Sequence, residues 1–189
     1  MSATFEGLGY ADALPLGIER LAKLPEGAAL AGINHENQQV LVADASLDEQ
    51  RPLGPDKKND DEHELAEDLQ RLEFKVNVLI QLVARLLKRG GDLPPVRSVR
   101  LRSRGLEWLL EGEAVPPGCA LVSLHVSRHF PQPLLLPGRV VGQHADGEGE
   151  WLRFAFDGLS PSVTELLERL VFRHHRRSVA GTRSAPRSE

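Results

Sequence analysis

The segment LAEDLQRLEFKVNVLIQLVARL, residues 65–86, carries an apolar repeat around which the rest of the chain can be interpreted. Its apolar residues alternate at intervals of four and three, which is the 3.5-residue period of helices that wind around one another. The repeat predicts an oligomerisation seam made by Leu65, Leu69, Leu72, Val76, Leu79, Val83 and Leu86. The other interpretation is an amphipathic helix packed on its own domain, for which a broader stripe of period 3.6 is typical.

The residues around the seam bear on the number of helices in the assembly. The d positions of the repeat are occupied by Leu65, Leu72, Leu79 and Leu86, and the a positions by Leu69, Val76 and Val83. Leucine at d with valine at a favours a parallel dimer. Ile80, Leu82 and Leu87 widen the apolar face in the second half of the helix, and a wider face suits more than two helices. We therefore expect a coiled-coil helix over residues 60–91 and a homo-oligomer in which a tetramer is favoured over a dimer.

Composition limits the classes of function that the chain can serve. The 189 residues carry a net charge of −4, which argues against general nucleic-acid binding. The sequence has no apolar run of the roughly 20 residues that would cross a bilayer, and residues 1–10 lack the features of an export signal. The single cysteine, Cys119, cannot form an internal disulfide. These features predict a soluble cytoplasmic protein with neither a nucleic-acid partner nor membrane insertion.

Residues 1–59 are interpreted as an N-terminal arm and linker, because Pro15, Gly17, Pro25 and Gly27 break the segment into short pieces. Within it, residues 34–50 could form a helix that uses Val40 and neighbouring apolar residues, or Val40 could begin a strand. Periodicity does not decide between the two. Because the arm is broken in this way, we expect the C-terminal domain to fold without it.

From Leu93 onward the pattern changes from helical to strand-like. Apolar and polar residues alternate over residues 96–102, 120–126, 134–143 and 151–156, and residues 106–110 form a further short strand between turns. Ser160 and Pro161 then start a helix with a compact apolar stripe, made by Val163, Leu166, Leu167, Leu170 and Val171. The fold class is therefore α+β: a small antiparallel barrel over residues 92–177 with a C-terminal helix, followed by a disordered tail over residues 178–189.

These segments together resemble a known family. The Ser-Arg-Gly-Leu turn at 103–106, the Pro-Pro-Gly turn at 116–118, LPGRVV at 136–141 and FAF at 154–156 occur in the order found in a PilZ domain. The resemblance implies a six-stranded Greek-key barrel of the kind that binds the bacterial second messenger cyclic di-GMP. The heptad helix and the ending VFRHHRR at 171–177 look more narrowly like the atypical, tetramer-forming PilZ branch of xanthomonads and related bacteria.

The ligand motif of typical PilZ domains is degenerate in this chain. The family has Asp or Asn, any residue, Ser, two residues and Gly, whereas this sequence reads RLRSRG at 100–105. Arginine carries only donors and cannot replace an acceptor that reads a guanine edge. The resemblance therefore implies either an oligomeric adaptor that contacts another signalling protein, or a receptor that binds cyclic di-GMP, as a weak ligand, through non-standard residues. For the receptor the candidates are Arg97, Arg100, Arg102, Arg104 and Gly105.

No pattern in the sequence indicates an enzyme or a metal site. His125 and His129 lack a supporting cysteine or carboxylate, and His174 and His175 lie among cations. Ser123 has no nearby acid that would orient a histidine base, and the glycine patterns of nucleotide-phosphate loops are absent. We expect no catalysis, no metal and no cofactor.

Overall fold

The computed structural model describes residues 5, 7–49, 72, 76, 93–112, 115–127 and 132–183. Its elements are β1 (Tyr10–Arg20), α1 (Gly27–Glu49), β2 (Val96–Leu101), β3 (Gly105–Leu109), β4 (Gly118–Leu124), β5 (Leu134–Asp146), β6 (Gly149–Phe156) and α2 (Pro161–Arg183). The predicted seam lies outside the described residues except for Leu72 and Val76, which are both helical and solvent-exposed. The seam therefore stays a prediction.

The six described strands close into an antiparallel barrel in the order β1-β2-β3-β6-β5-β4. Alternation along the strands sends one face into the interior, as the sequence pattern predicts: Val99 and Leu101 are buried on β2, and Leu152 and Phe154 on β6. The backbones approach closely at Gly138, where an added Cβ would clash with the carbonyl of Ala155. The predicted small barrel with a C-terminal helix is confirmed.

The interpretation of residues 1–59 as an arm outside the barrel is wrong, because β1 is a barrel strand. Its first half pairs with β2 and its second half, from Leu16, pairs with β4. Pro15 lies at the change of partner, where its carbonyl accepts a hydrogen bond from the His125 amide at 3.1 Å. Gly17 follows, and a Cβ there would lie 2.6 Å from Ser123 Oγ. The proline and glycine that interrupt the sequence pattern thus lie where β1 changes its pairing from β2 to β4. The predicted domain boundaries at 59 and 92 divide a single barrel.

The helical alternative for residues 34–50 is the one observed, although α1 begins earlier, at Gly27. Two asparagines one helical turn apart fix its position. The buried Asn37 side chain donates to the Leu135 carbonyl at 2.7 Å and accepts from the Leu135 amide at 2.8 Å. Asn34 accepts from the Ser160 amide at 2.8 Å, so α1 is attached both to β5 and to the start of α2.

Helix α2 begins as predicted and ends later than predicted. Ser160 Oγ accepts from the Val163 amide at 3.3 Å, which is an N-cap contact, and the stripe residues Val163, Leu167, Leu170 and Val171 are buried against α1 and the barrel. The helix continues to Arg183, so a disordered tail from residue 178 is wrong for 178–183, while 184–189 lie outside the described residues. No helix among the described residues is long and apolar enough to span a bilayer.

Candidate functional site

The structure separates the predicted ligand arginines into different surfaces. Arg97 pairs with Leu14 and shares a strand face with the buried Val99, whereas Arg100 pairs with Glu107 on the outer face of the barrel. Arg102 follows the end of β2 and turns toward the same outer face. Arg100 and Arg102 are therefore brought together, and Arg97 is not part of their site.

Arg100 is already bound by carboxylates of the same chain. Its Nη1 donates to Asp146 Oδ2 at 2.6 Å and its Nη2 donates to Glu148 Oε2 at 2.7 Å. The guanidinium carbon lies 3.7 Å from the ring centroid of the buried Trp151, whose Nε1 donates to the other Asp146 oxygen at 2.9 Å. The Glu148 amide and the Arg100 guanidinium lower the pKa of Asp146, which holds this carboxylate ionised.

Arg102 is bound by a second, more deeply buried carboxylate. Its Nη1 donates to Glu107 Oε2 at 2.7 Å, while Arg153 Nε donates to Oε1 at 2.9 Å and His144 Nδ1 lies 3.7 Å from the same oxygen. The Glu107 side chain is only 3% exposed. Burial by itself would raise the pKa of Glu107, but the hydrogen bonds from Arg102 and Arg153 outweigh burial and lower it.

The segment before β1 lies beside this buried carboxylate cluster. The Arg153 guanidinium is 5.3 Å from the ring centroid of Phe5, and a Cβ on Gly9 would lie 3.1 Å from Arg102 Cγ. Glycine at position 9 thus permits the chain to run close over Arg102. Sequence reasoning interpreted the N-terminal segment as a covering arm, but it did not identify Phe5 and Gly9 as the residues that lie over this cluster.

Gly105 is buried in the β2–β3 turn and is therefore not open to a ligand. It is the buried first residue of β3, and its carbonyl accepts from the Arg102 amide at 2.9 Å, which closes the β2–β3 turn. The Arg104 carbonyl in the same turn accepts from the Phe156 amide at 3.0 Å, whereas residue 104 as a whole is exposed. The turn is therefore fixed by its backbone, and the Arg104 side chain is left at the surface.

A cavity of about 580 Å³ lies between this turn, the segment before β1 and helix α2. Arg104 is on one side, Leu8 on the second, and Glu168, Arg169 and Phe172 on the helix. Leu8 was not singled out from the sequence, and Phe172 was quoted only as part of the ending VFRHHRR at 171–177. The available signal was Phe172, a large apolar residue that lies outside the helix stripe.

The sequence predicts no metal site. Within the described residues no three His, Cys, Asp or Glu side chains group in a way that could hold a metal ion. The His125 amide is used by Pro15, and His129 lies outside the described residues. Absence of a metal and of a cofactor stays a prediction.

Comparison with known protein families gives a match over residues 41–184 to the family described as "Atypical PilZ domain, cyclic di-GMP receptor". The chain belongs to the atypical PilZ family. The predicted resemblance is thereby confirmed, and the matched family is described as one of cyclic di-GMP receptors. The match begins after β1, the strand that sequence reasoning also left out of the domain.

Among solved structures, the chain is similar to a protein of Xanthomonas campestris reported as a pathogenic protein with a tetrameric PilZ domain self-assembled through a helical bundle. The TM-score is 0.73 at 24% sequence identity, and the alignment covers 93% of this chain and 92% of that one. At this identity the likeness shows the fold, including the PilZ barrel. Among curated proteins, none matches the chain.

Proposed function

We propose that this atypical PilZ protein is a non-catalytic, oligomeric adaptor of cyclic di-GMP signalling in the cytoplasm, with a degenerate ligand motif and another signalling protein as partner. The observation that carries the proposal is the occupation of Arg100 and Arg102 by carboxylates of the same chain. A ligand phosphate would have to displace Asp146 or Glu107, and hydrogen bonds to charged groups are worth about 1.5–3 kcal/mol each. That competition weakens any binding through these two arginines.

Titration calorimetry with cyclic di-GMP at physiological salt tests the ligand part of the proposal. We expect a dissociation constant weaker than about 1 μM, because the loss of one or two bidentate contacts costs roughly tenfold or more. Tighter binding that is abolished by Arg100→Ala or Arg102→Ala, and retained by the control Arg97→Ala, would contradict the proposal.

The oligomeric part rests on the heptad seam and on Leu72 and Val76. Both residues are helical, and their side chains are 58% and 45% exposed in the isolated chain, as expected of residues that a second helix would cover. The related Xanthomonas structure, reported as a tetramer built through a helical bundle, agrees with this interpretation. We propose a homotetramer that is joined by the helix over residues 60–91.

Light scattering tests the oligomer directly. The double variant Leu72→Asp/Val76→Asp would bury charges in the seam at several kcal/mol each, so the mass should fall to that of a monomer. Val42→Asp is the control, because Val42 is an exposed valine on α1 with a similar exposed fraction of 48%. A parent that is monomeric at micromolar concentration, or a double variant that keeps the parent mass, would show that the seam is intramolecular.

One observation favours the receptor alternative, in which cyclic di-GMP binds through non-standard arginines. The cavity of about 580 Å³ is bordered by Arg102 and Arg104, and its volume lies within the usual 300–1,000 Å³ of small-molecule sites. Arg104→Ala distinguishes the two functions. If tight nucleotide binding is found and this variant abolishes it while Arg97→Ala does not, the receptor function is correct.

A further inference from the structure

The cavity beside α2 has an apolar wall that the monomer leaves in water. Leu8 and Phe172 border it, and their side chains are 45% and 51% exposed. They come from different elements, the segment before β1 and helix α2, and the buried Val171 lies between the helix and the barrel at the same cavity. Large apolar side chains that stay exposed around a concave surface are typical of a binding site.

Some charged side chains at this cavity form ion pairs within the chain, and others remain available to a ligand. Arg102 is bound by Glu107, and Arg169 donates to Glu165 at 2.7 Å. Arg104 is exposed on the turn, and the Arg176 guanidinium lies 5.8 Å from the Phe172 ring centroid, so both project positive charge next to the apolar wall. The acidic lining residues are Glu165, which is the partner of Arg169, and Glu168.

The sign of this local charge differs from that of the molecule. The chain as a whole has a net charge of −4, whereas the cavity is lined by three arginines, Arg102, Arg104 and Arg169, against two glutamates, Glu165 and Glu168, and Arg176 lies beside the Phe172 ring. Charge complementarity steers association and selects the partner. The surface therefore fits a ligand that is apolar in its centre and negative at its edges.

We propose that this cavity docks an acidic peptide segment of the partner protein, and this inference rests on the adaptor function proposed above. An apolar side chain of the segment packs between Leu8 and Phe172, and flanking carboxylates reach Arg104 and Arg176. The turn is hydrogen-bonded to Phe156 of β6 and the apolar stripe of α2 packs into the core, so the surface is formed before docking, which lowers the entropic cost. Phe172 is the anchor contact, since apolar and aromatic residues at the centre of an interface carry most of the binding energy.

Selection from a random peptide display library, with inserts of about 12 residues, tests this proposal. We expect the full-length protein to enrich peptides that combine an aromatic residue or leucine with acidic neighbours. A fluorescein-labelled synthetic copy of an enriched peptide should then bind about tenfold or more weakly to Phe172→Ser and to Arg104→Glu, as measured by fluorescence anisotropy. Val42→Ser, which changes an equally exposed residue on α1, and Arg20→Glu on β1 should bind as the parent does.

The proposal is overturned if no peptides are enriched, if the enriched peptides are basic, or if binding is unchanged in Phe172→Ser. Leu8→Ser is a second variant on a different element, so a folding defect of the helix variant does not decide the result. Peptide that is displaced by micromolar cyclic di-GMP would identify a nucleotide site and overturn the docking proposal. Failure of peptide binding together with weak cyclic di-GMP binding rejects the docking surface alone, whereas nucleotide binding below about 1 μM rejects the adaptor function.

Discussion

Two pairs of arginines on neighbouring surfaces of this barrel have opposite environments. Arg100 and Arg102 are bound by Asp146, Glu148 and Glu107, and Arg100 also stacks on Trp151. Arg104 lines a cavity with exposed apolar side chains, and Arg176 lies beside the Phe172 ring that borders the same cavity. Arginine in the ligand-motif frame therefore does not by itself indicate a ligand site, because carboxylates from other strands decide whether its donors are available.

The N-terminal segment contributes to both surfaces. Phe5 and Gly9 lie over the Glu107 cluster, and Leu8 forms part of the cavity wall. The same segment leads directly into β1, which holds the barrel closed between β2 and β4. The surface around Glu107, which the N-terminal segment covers, and the cavity beside α2, which stays open, therefore both depend on a part of the chain that the apolar repeats of the sequence do not reveal.

Deletion of residues 1–26 should have the largest effect, because loss of β1 should unfold the barrel and remove both arginine surfaces. It removes the buried side chains of Tyr10, Leu14 and Leu16, each worth about 1.5–3 kcal/mol, together with two backbone ladders. That loss is comparable to the 5–15 kcal/mol of a typical domain, so we expect no cooperative transition in thermal unfolding followed by circular dichroism. Deletion of residues 184–189 is the control, and a truncated chain that melts like it would contradict the role of β1.

Glu107→Ala should have the next largest effect on the free energy of unfolding, because it removes the carboxylate that binds Arg102 and Arg153. The substitution leaves Arg102 and Arg153 without their shared acceptor, and breaking a buried pair on one side costs about 3 kcal/mol or more. Glu165→Ala is the matched control on the open side, because the Glu165–Arg169 pair is exposed and is worth about 0.5 kcal/mol. Urea unfolding measures both free energies, and equal losses would show that the Glu107 cluster is no more than a surface pair.

The pH dependence of stability sharpens the same contrast. Because folding lowers the pKa of Glu107, its contribution is fully present above the ordinary value of 4.5 and is lost as pH falls through the folded-state pKa. The difference in unfolding free energy between the parent and Glu107→Gln should therefore be largest near neutral pH and shrink toward acid pH. The Asp146 carboxyl, whose pKa is also lowered, is common to both proteins. Parallel pH curves for the two would contradict this assignment.

Arg100→Lys should have the smallest effect. Lysine keeps the charge but cannot donate to Asp146 and Glu148 at the same time through a planar guanidinium, and it loses the planar stacking on Trp151. We expect the free energy of unfolding to fall by about 1 kcal/mol. Arg97→Lys on the opposite face should change the unfolding free energy by about 0.5 kcal/mol or less. Urea unfolding compares the two, and equal changes would show that the stack on Trp151 does not stabilise the barrel.

Much of the barrel could be predicted because its strands alternate. The interior residues of β2 and β6 and the stripe of α2 follow periods that the sequence shows directly. Strand β1 could not be predicted in the same way, since Pro15 and Gly17 look like breakers and only the neighbouring strands show that they mark a change of partner. The attachment of α1 by Asn34 and Asn37 was equally invisible, because a polar side chain on a helix indicates a docking contact only once its distant backbone partner is known.

The sequence by itself determined the family, most of the strands and the C-terminal helix, because each of these follows from local spacing or from residue type. Tertiary structure alone decided the place of β1, the occupation of Arg100 and Arg102, and the cavity between Arg104, Leu8 and Phe172. The physical reason is distance along the chain. Arg100 meets Asp146, and Leu8 and Phe172 come to border the same cavity, only when the barrel has closed and α2 has packed against it.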